Sequence, residues 1–537
     1  MYDTYSLRWY PIAFCSAVLV ALPLIFLASS WQTIDAAIWG HLWQTQLPRL
    51  VGNTLTLLVG VGLGVTVLGV SLAWLTSLCE FPGRRWLDWA LMLPFALPAY
   101  VLAFVFIGML DFAGPVQTAW REWFGASWRF PPVRSTAGVV LVLTLVFYPY
   151  VYLLARSAFL VQGRDVLDAA RTLGHTPWQA FWRVALPMAR PAIGAGVALA
   201  LMETLADFGA VSAFNFDTFT TAIYKTWFGF FSLSSAAQLA SLLLLFVALL
   251  VFSERRARGA WRPSSSRVRH APRYRLRGWR AMAASAWCLL IFTLAFVLPI
   301  VQLMAWCWRR GRFDLDERYF ALVAHSLYLG TIAAGITVCV AMLLAFARRR
   351  SPTPLMRGCV RFAMLGYALP GSVLAVSVML VFAHADRFVV VPLSGWLGGA
   401  GKPLLVGSVL ALLLAYLVRF LAVAHGPLET SLHRVRPALE EASRSLGVVG
   451  LRQFFRLHVP LLLPGGLTAL LMVLVDVLKE MPATLLLRPF GWDTLAVRIF
   501  EMTNEGEWDR AALPALTLVV VGMVPVVVLI RRSAGMR

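Results

Sequence analysis

Residues 96–103 read Ala96-Leu97-Pro98-Ala99-Tyr100-Val101-Leu102-Ala103, and 272 positions later the chain reads Ala368-Leu369-Pro370-Gly371-Ser372-Val373-Leu374-Ala375. The same offset joins Asn53-Thr54-Leu55 to His325-Ser326-Leu327. At 273 positions Asp168-Ala169-Ala170 with Gly174 match Glu441-Ala442-Ser443 with Gly447, and Pro187 and Pro191 match Pro460 and Pro464. A register held from Asn53 to Pro191 with one slip marks a duplicated unit. The 537 residues are therefore read as two tandem halves, 1–253 and 281–537, joined by a linker at 254–280.

Outward from the repeat, composition says where these halves reside. Apolar residues make up 60% of the chain and charged ones 14%, with a mean hydropathy of +0.75. A water-soluble protein needs roughly a quarter of its residues charged, so much of this surface faces lipid. A spanning helix takes about 20 mostly apolar residues. Six such stretches fall near 11–30, 50–78, 88–111, 136–160, 191–213 and 236–253, and six more near 281–306, 325–347, 362–384, 403–424, 464–481 and 511–531. The first looks like a signal peptide ending at Ala28-Ser29-Ser30, but its apolar run is too long and further spans follow, which favours an uncleaved anchor. An even number of spans per half gives both halves the same orientation. The expected fold is an all-α integral membrane protein of about twelve transmembrane helices, two six-helix halves related by a pseudo-two-fold axis along the membrane normal.

Arginine sets the sidedness. The linker holds ten arginines and one acid, Glu254, around Pro263-Ser264-Ser265-Ser266, and the positive-inside bias puts it in the cytoplasm with both termini. Arg84-Arg85, Arg348-Arg349-Arg350 and Arg531-Arg532 agree, while Arg309, Arg310 and Arg312 dissent. This bias accounts for the +21 net charge better than a nucleic-acid or anionic-lipid patch does. The six cysteines stand singly, so no disulfide framework or zinc site is indicated.

Between the fourth and fifth spans of each half lies a loop of a different kind. The first runs from Asp165 through Asp168-Ala169-Ala170 to Gly174, then Thr176-Pro177-Trp178-Gln179 and Phe181-Trp182-Arg183 to Pro187. A short helix ends at Gly174, and Thr176, Pro177 and Gln179 open a second with a capping box, expected to stop before Pro187. The other loop repeats the plan through Glu441-Ala442-Ser443, Gly447, Phe454 and Pro460. Phenylalanine stands seven residues after the glycine and proline thirteen after it in both halves. Amphipathic helices lying on the lipid surface are the plainer alternative.

Acidic-Ala-Ala, three residues, Gly and a closing Leu-Pro or Val-Pro resemble the cytoplasmic loop signature of binding-protein-dependent ABC importer permeases. The resemblance implies that Asp168, Ala169, Ala170, Gly174, Phe181 and Pro187, with Glu441, Ala442, Ser443, Gly447, Phe454 and Pro460, form two coupling loops that dock on a separate ATPase dimer. Asp168 in place of Glu and Ser443 in place of the second Ala depart from the pattern but keep charge sign and small size. The chain has no phosphate loop of its own: Gly398-Gly399-Ala400-Gly401-Lys402-Pro403 has Trp396 where the first glycine belongs and lacks the Ser/Thr.

Ionisable residues inside spans are functional candidates by default. Glu203 and Asp207 lie four residues apart on one helical face, and Asp476 and Glu480 repeat them in the second half with Lys479 beside them. Two readings stand side by side. The four carboxylates form a transient oxygen-rich station for a hard cation, or they pair with basic groups and cap broken helices to hold a gate. Glu203-Thr-Leu-Ala-Asp207, Asp217-Thr-Phe-Thr-Thr, Asp476-Val-Leu-Lys-Glu480-Met-Pro-Ala-Thr and Trp492-Asp493-Thr-Leu-Ala resemble the fused ferric-iron branch of these permeases. That branch implies Fe(III) import from a periplasmic binding protein, docking on outer loops near 112–135, 214–235, 385–402 and 482–510. It implies a multi-pass place in the bacterial inner membrane and no resident cofactor or stable metal. Thiamine permeases share the fused plan. An ion-coupled secondary transporter leaves the paired loops unexplained, and a membrane enzyme lacks H-E-x-x-H, G-x-S-x-G or clustered His.

Overall fold

Inside hydrocarbon every backbone N–H and C=O must be satisfied within the chain, which leaves helices as the solution for single spans. The computed structural model describes residues 9–125, 131–162, 170, 172–174, 176–258, 273–310, 315–396 and 402–535. Among these, eleven helical segments are long and apolar enough to cross a membrane. With Trp508–Gly535, 28 residues long, all twelve expected spans have a helix. We number them α1 (Tyr10–Ser29), α2 (Leu47–Leu78), α3 (Ala99–Leu110), α4 (Thr136–Gln162), α5 (Leu186–Ala206) and α6 (Leu233–Arg258). The second half supplies α7 (Trp279–Arg310), α8 (Glu317–Arg350), α9 (Gly371–Ala385), α10 (Val409–His433), α11 (Val459–Lys479) and α12 (Trp508–Gly535). Among the described residues the strand content is one two-residue parallel pair, Cys79–Glu80 with Tyr274–Arg275, which ties the linker's end to the foot of α2.

Proline redraws two of the expected spans. The third, read as 88–111, is broken: Arg84–Ala90 is a separate short helix, Leu93–Ala96 a 3-10 turn, and Pro98 caps α3. Its counterpart at 362–384 is broken in the same way, as Pro354–Ala363, then Met364–Ala368, then Pro370 capping α9. Prolines 98 and 370 lack an N–H and push the preceding residue out of helical geometry, so an apolar run need not be one helix. The fifth span also ends early, at Ala206 and Lys479, with short helices Gly209–Ala213 and Pro482–Leu487 resuming after a two-residue break.

The halves exchange their outer helices. Trp9, which caps α1, and Ala13 and Val20 within it are buried in a core otherwise built from 329–487, with Trp9 edge-on to Phe346 at 4.8 Å. Conversely, Cys288, Ile291 and Trp306 of α7, and Ala511, Ala515 and Val519 of α12, join the core of α2–α4. Leu239 and Leu243 of α6 pack with Val373 and Val376 of α9. Each half is thus completed by helices of the other, and the two meet where α5 and α11 break.

Candidate functional site

Asp168 and Ala169 lie outside the described residues, and Ala170 is buried. Gly174 follows at φ +86, left-handed backbone that glycine adopts without strain. Thr176 and Gln179 form the expected capping box: the Thr176 N–H donates to Gln179 Oε1 at 3.0 Å, and the Gln179 N–H to Thr176 Oγ1 at 3.2 Å. In the second loop the helix Pro437–Ser445 ends in a Schellman turn. There the Val448 N–H donates to Ser443 O and the Gly447 N–H to Arg444 O, both at 2.9 Å, with Gly447 at φ +75. The hydroxyl of Ser443 donates to Val448 O at 3.0 Å, so this departure from the signature braces the turn. Glu441 and Ala442 are exposed.

The short helix was expected to stop before Pro187, and it does not. Pro177–Ala180 runs through a π-turn at Phe181–Ala185 straight into α5, and Gly450–Gln453 runs through Phe454–His458 into α11. Pro187 and Pro460 cannot donate to the carbonyl four residues back, and their rings crowd it. Widening the turn solves both problems: the Leu186 N–H reaches Phe181 O and the Val459 N–H reaches Phe454 O, five residues back. The loop and the fifth span of each half are therefore one continuous helix.

Phe181 and Phe454 point back into the bundle, against Trp74 at 4.5 Å and Phe346 at 5.0 Å between ring centroids. The second loop is clamped further by Glu440, whose carboxylate meets Arg349 Nε at 2.5 Å and His458 Nε2 at 3.1 Å. Outward stand other residues, paired across the repeat: Leu173 with Leu446, exposed by 80% and 82%, and Trp182 with Phe455. Sequence reading passed over both leucines, although a Leu-Gly pair ending each helix was there to be seen.

At the far ends of α5 and α11, all four carboxylates line one cavity of about 170 Å³. Asp207 and Glu480 occupy equivalent helix breaks. Asp207 Oδ1 accepts the Val211 N–H at 3.1 Å, and Glu480 Oε1 accepts the Ala483 N–H at 3.1 Å, so each caps the short helix that follows. Glu480 Oε2 also faces Arg419 Nε at 3.2 Å, a buried pair. Glu203 Oε1 accepts from Tyr367 Oη at 2.9 Å, and Lys479 Nζ donates to Phe95 O at 2.6 Å, both across the boundary between halves. Tyr150 and Asp476 complete the polar wall. The four acids share the cavity without converging into a ligand cage: among the described residues no group of three or more His, Cys, Asp or Glu is placed to hold a metal ion. Arg419, Tyr150 and Tyr367 escaped the sequence reading. Arg419 was findable, as a lone charge within the apolar run 409–424.

Residues 65–258 match the family described as binding-protein-dependent transport system inner membrane component. The chain is 33% identical over 174 residues to the molybdenum transport system permease protein ModB of Escherichia coli, covering 71% of that protein and 32% of this chain. The chain belongs to the binding-protein-dependent permeases. Along nearly its whole length this permease is similar to the Fe(3+)-transport system permease protein FbpB 2 of Haemophilus influenzae, 28% identical over 500 residues, 91% of this chain and 90% of that one. It is also similar to the ferric transport system permease protein FbpB of Actinobacillus pleuropneumoniae, 24% identical over 511 residues, 90% of this chain and 71% of that one. It is an ABC permease of the fused two-half type, a multi-pass membrane subunit rather than an enzyme.

Proposed function

We propose that this permease carries Fe(III), received from a periplasmic binding protein, across the inner membrane, and that the two loops take force from a cytoplasmic ATPase dimer. The linker and both termini lie on the cytoplasmic side, and the units 1–253 and 281–537 act as the two halves of one gate. Asp168 through Pro187 and Glu441 through Pro460 form the coupling elements. Leu173, Trp182, Leu446 and Phe455 supply their docking surface, and Phe181 and Phe454 anchor them to the bundle.

The observation that carries this reading is the unbroken helix from each loop to the cavity. Gly450–Lys479 is 30 residues, a rod of about 45 Å at 1.5 Å per residue. Turning such a rod by about 10° moves its far end by roughly 8 Å, the scale of a domain rotation. Closure of the ATPase at one end therefore shifts Glu480 and Asp207 at the other, where each holds a helix break together. Four carboxyl groups beside Arg419 and Lys479 make an oxygen-rich lining, which suits a hard trivalent cation better than an oxyanion. The carboxylates attract and pass the ion while Arg419 and Lys479 hold the unloaded gate. The two readings of the acids are then successive states of one site.

Substituting Asp for Gly174 and Gly447 tests the lever. The space around both glycines is open, nothing lying within 4 Å of an added Cβ, so the effect comes from backbone strain at positive φ. The reconstituted complex is expected to assemble and hydrolyse ATP but to lose ⁵⁵Fe uptake. Uptake at the parental rate would show that these turns do not transmit force.

A further inference from the structure

The two halves differ in one place where the repeat predicts likeness. In the first half, Trp86 on the short helix Arg84–Ala90 packs edge-on against Phe292 of α7 at 5.1 Å between ring centroids. At the 272-residue offset, Trp86 is replaced by Gly358 and Asp88 by Val360. Asp88 closes the first half by a bidentate pair with Arg156, at 2.6 and 2.7 Å, and the second half lacks that lock. What opens instead is an apolar groove of about 610 Å³ between α1 and the helix Pro354–Ala363, lined by Phe14, Val18, Leu355 and Cys359. Through Gly358 and Phe362, which line both, it continues into a cavity of about 750 Å³ holding Arg348, Arg361, His425 and Glu429.

The polar end offers one arginine to an anion. Glu429 is engaged by Arg348 at 2.6 Å, while among the described residues Arg361 has no ion-pair partner. His425 is 95% buried and lines the cavity, its ring directed at the Ala341 carbonyl and its Nε2 3.6 Å from Glu429 Oε2. With Arg348 and His425 both turned to Glu429, Arg361 is the lining cation left for an outside anion. An adjoining cavity reaches Pro437 and Glu440 of the second coupling loop, which places the site at the loop end of the bundle.

We propose that the second half holds one anionic phospholipid of the cytoplasmic leaflet. Its phosphate is met by Arg361, and an acyl chain lies in the groove that Gly358 leaves beside α1. Basic pockets between spanning helices at this depth suit such headgroups. The choice of leaflet rests on the proposed sidedness, but lipid binding in nanodiscs does not, so the two fail separately.

The test uses the full-length permease with Cys359 as its single cysteine, in nanodiscs of phosphatidylglycerol or of phosphatidylcholine. Labelling of Cys359 by an uncharged maleimide is expected to be about fivefold slower in phosphatidylglycerol, the worth of one arginine near a charged lipid, and Arg361→Glu should erase the difference. Native mass spectrometry should find one fewer retained phosphatidylglycerol in Gly358→Trp, which restores the first half's plug into open space. Equal labelling in both lipids would overturn the proposal. So would protection by inorganic phosphate alone in phosphatidylcholine, which would make the occupant a free anion.

Discussion

Removing the Arg419 side chain is the most searching perturbation of the cavity. Glu480 has two supports: the Ala483 N–H on Oε1 at 3.1 Å and the Arg419 guanidinium on Oε2 at 3.2 Å. Arg419 in turn donates from Nη1 to Leu369 O at 3.2 Å. Both side chains are buried, 11% and 5% exposed. Arg419→Met therefore strands a carboxylate with one backbone donor, and breaking a buried pair from one side costs about 3–5 kcal/mol. In Arg419→Met with Glu480→Gln the stranded charge is gone, while the glutamine Oε1 still caps Pro482–Leu487, so most of that loss should return. The assay is thermal unfolding in detergent, followed by a dye that fluoresces on thiols, with buried Cys79 and Cys288 as built-in reporters. The single variant should melt well below the parent and the double variant between them, with a coupling energy of about 2–3 kcal/mol. A double variant no more stable than Arg419→Met would show that Arg419 acts by packing alone.

Asp207→Asn with Glu480→Gln keeps both helix-capping acceptors and removes two ionisable carboxyls, so assembly and ATPase docking should persist while uptake falls by at least tenfold; unchanged uptake would count against a carboxyl-lined pathway. Leu446→Glu puts a charge where an apolar contact is expected, and burial of one leucine side chain is worth about 1.5–3 kcal/mol. Cysteine cross-linking of the second loop to the ATPase should then drop by roughly tenfold, and normal cross-linking would remove Leu446 from the docking surface. Burial pushes the Cys79 thiol up to about 11, so at pH 8 only about one thiol in a thousand is ionised. Its alkylation should be slow and climb steadily with pH toward 11, and a plateau near pH 9 would contradict its burial.

What the sequence revealed was what is local or periodic. Apolar runs gave the twelve spans, and the Leu-Pro octets gave the duplication. Thr176 and Gln179 gave a capping box, because its two hydrogen bonds lie within four residues. The π-turns before Pro187 and Pro460 were not legible, since a proline signals a missing donor without saying whether the helix stops or widens. Neither was the direction of Phe181 and Phe454, because an aromatic at helical spacing serves a partner or its own bundle equally well. Glu203 and Asp476 were found by their charge. Their neighbours Tyr367 and Tyr150 were hidden, because a tyrosine in an apolar run draws attention only when its hydroxyl meets a carboxylate from another helix. The exchange of α1 and α7 is tertiary and leaves no mark on hydropathy.

That exchange bears on how the protein is made. The partner surface of α1, around Phe346 and Phe454, is encoded more than 300 residues downstream. At a ribosomal pace of 5–20 residues per second, the first helix waits roughly 20–60 s in the bilayer before its binding face exists. During that interval the nascent chain exposes a seam suited to its own unborn half.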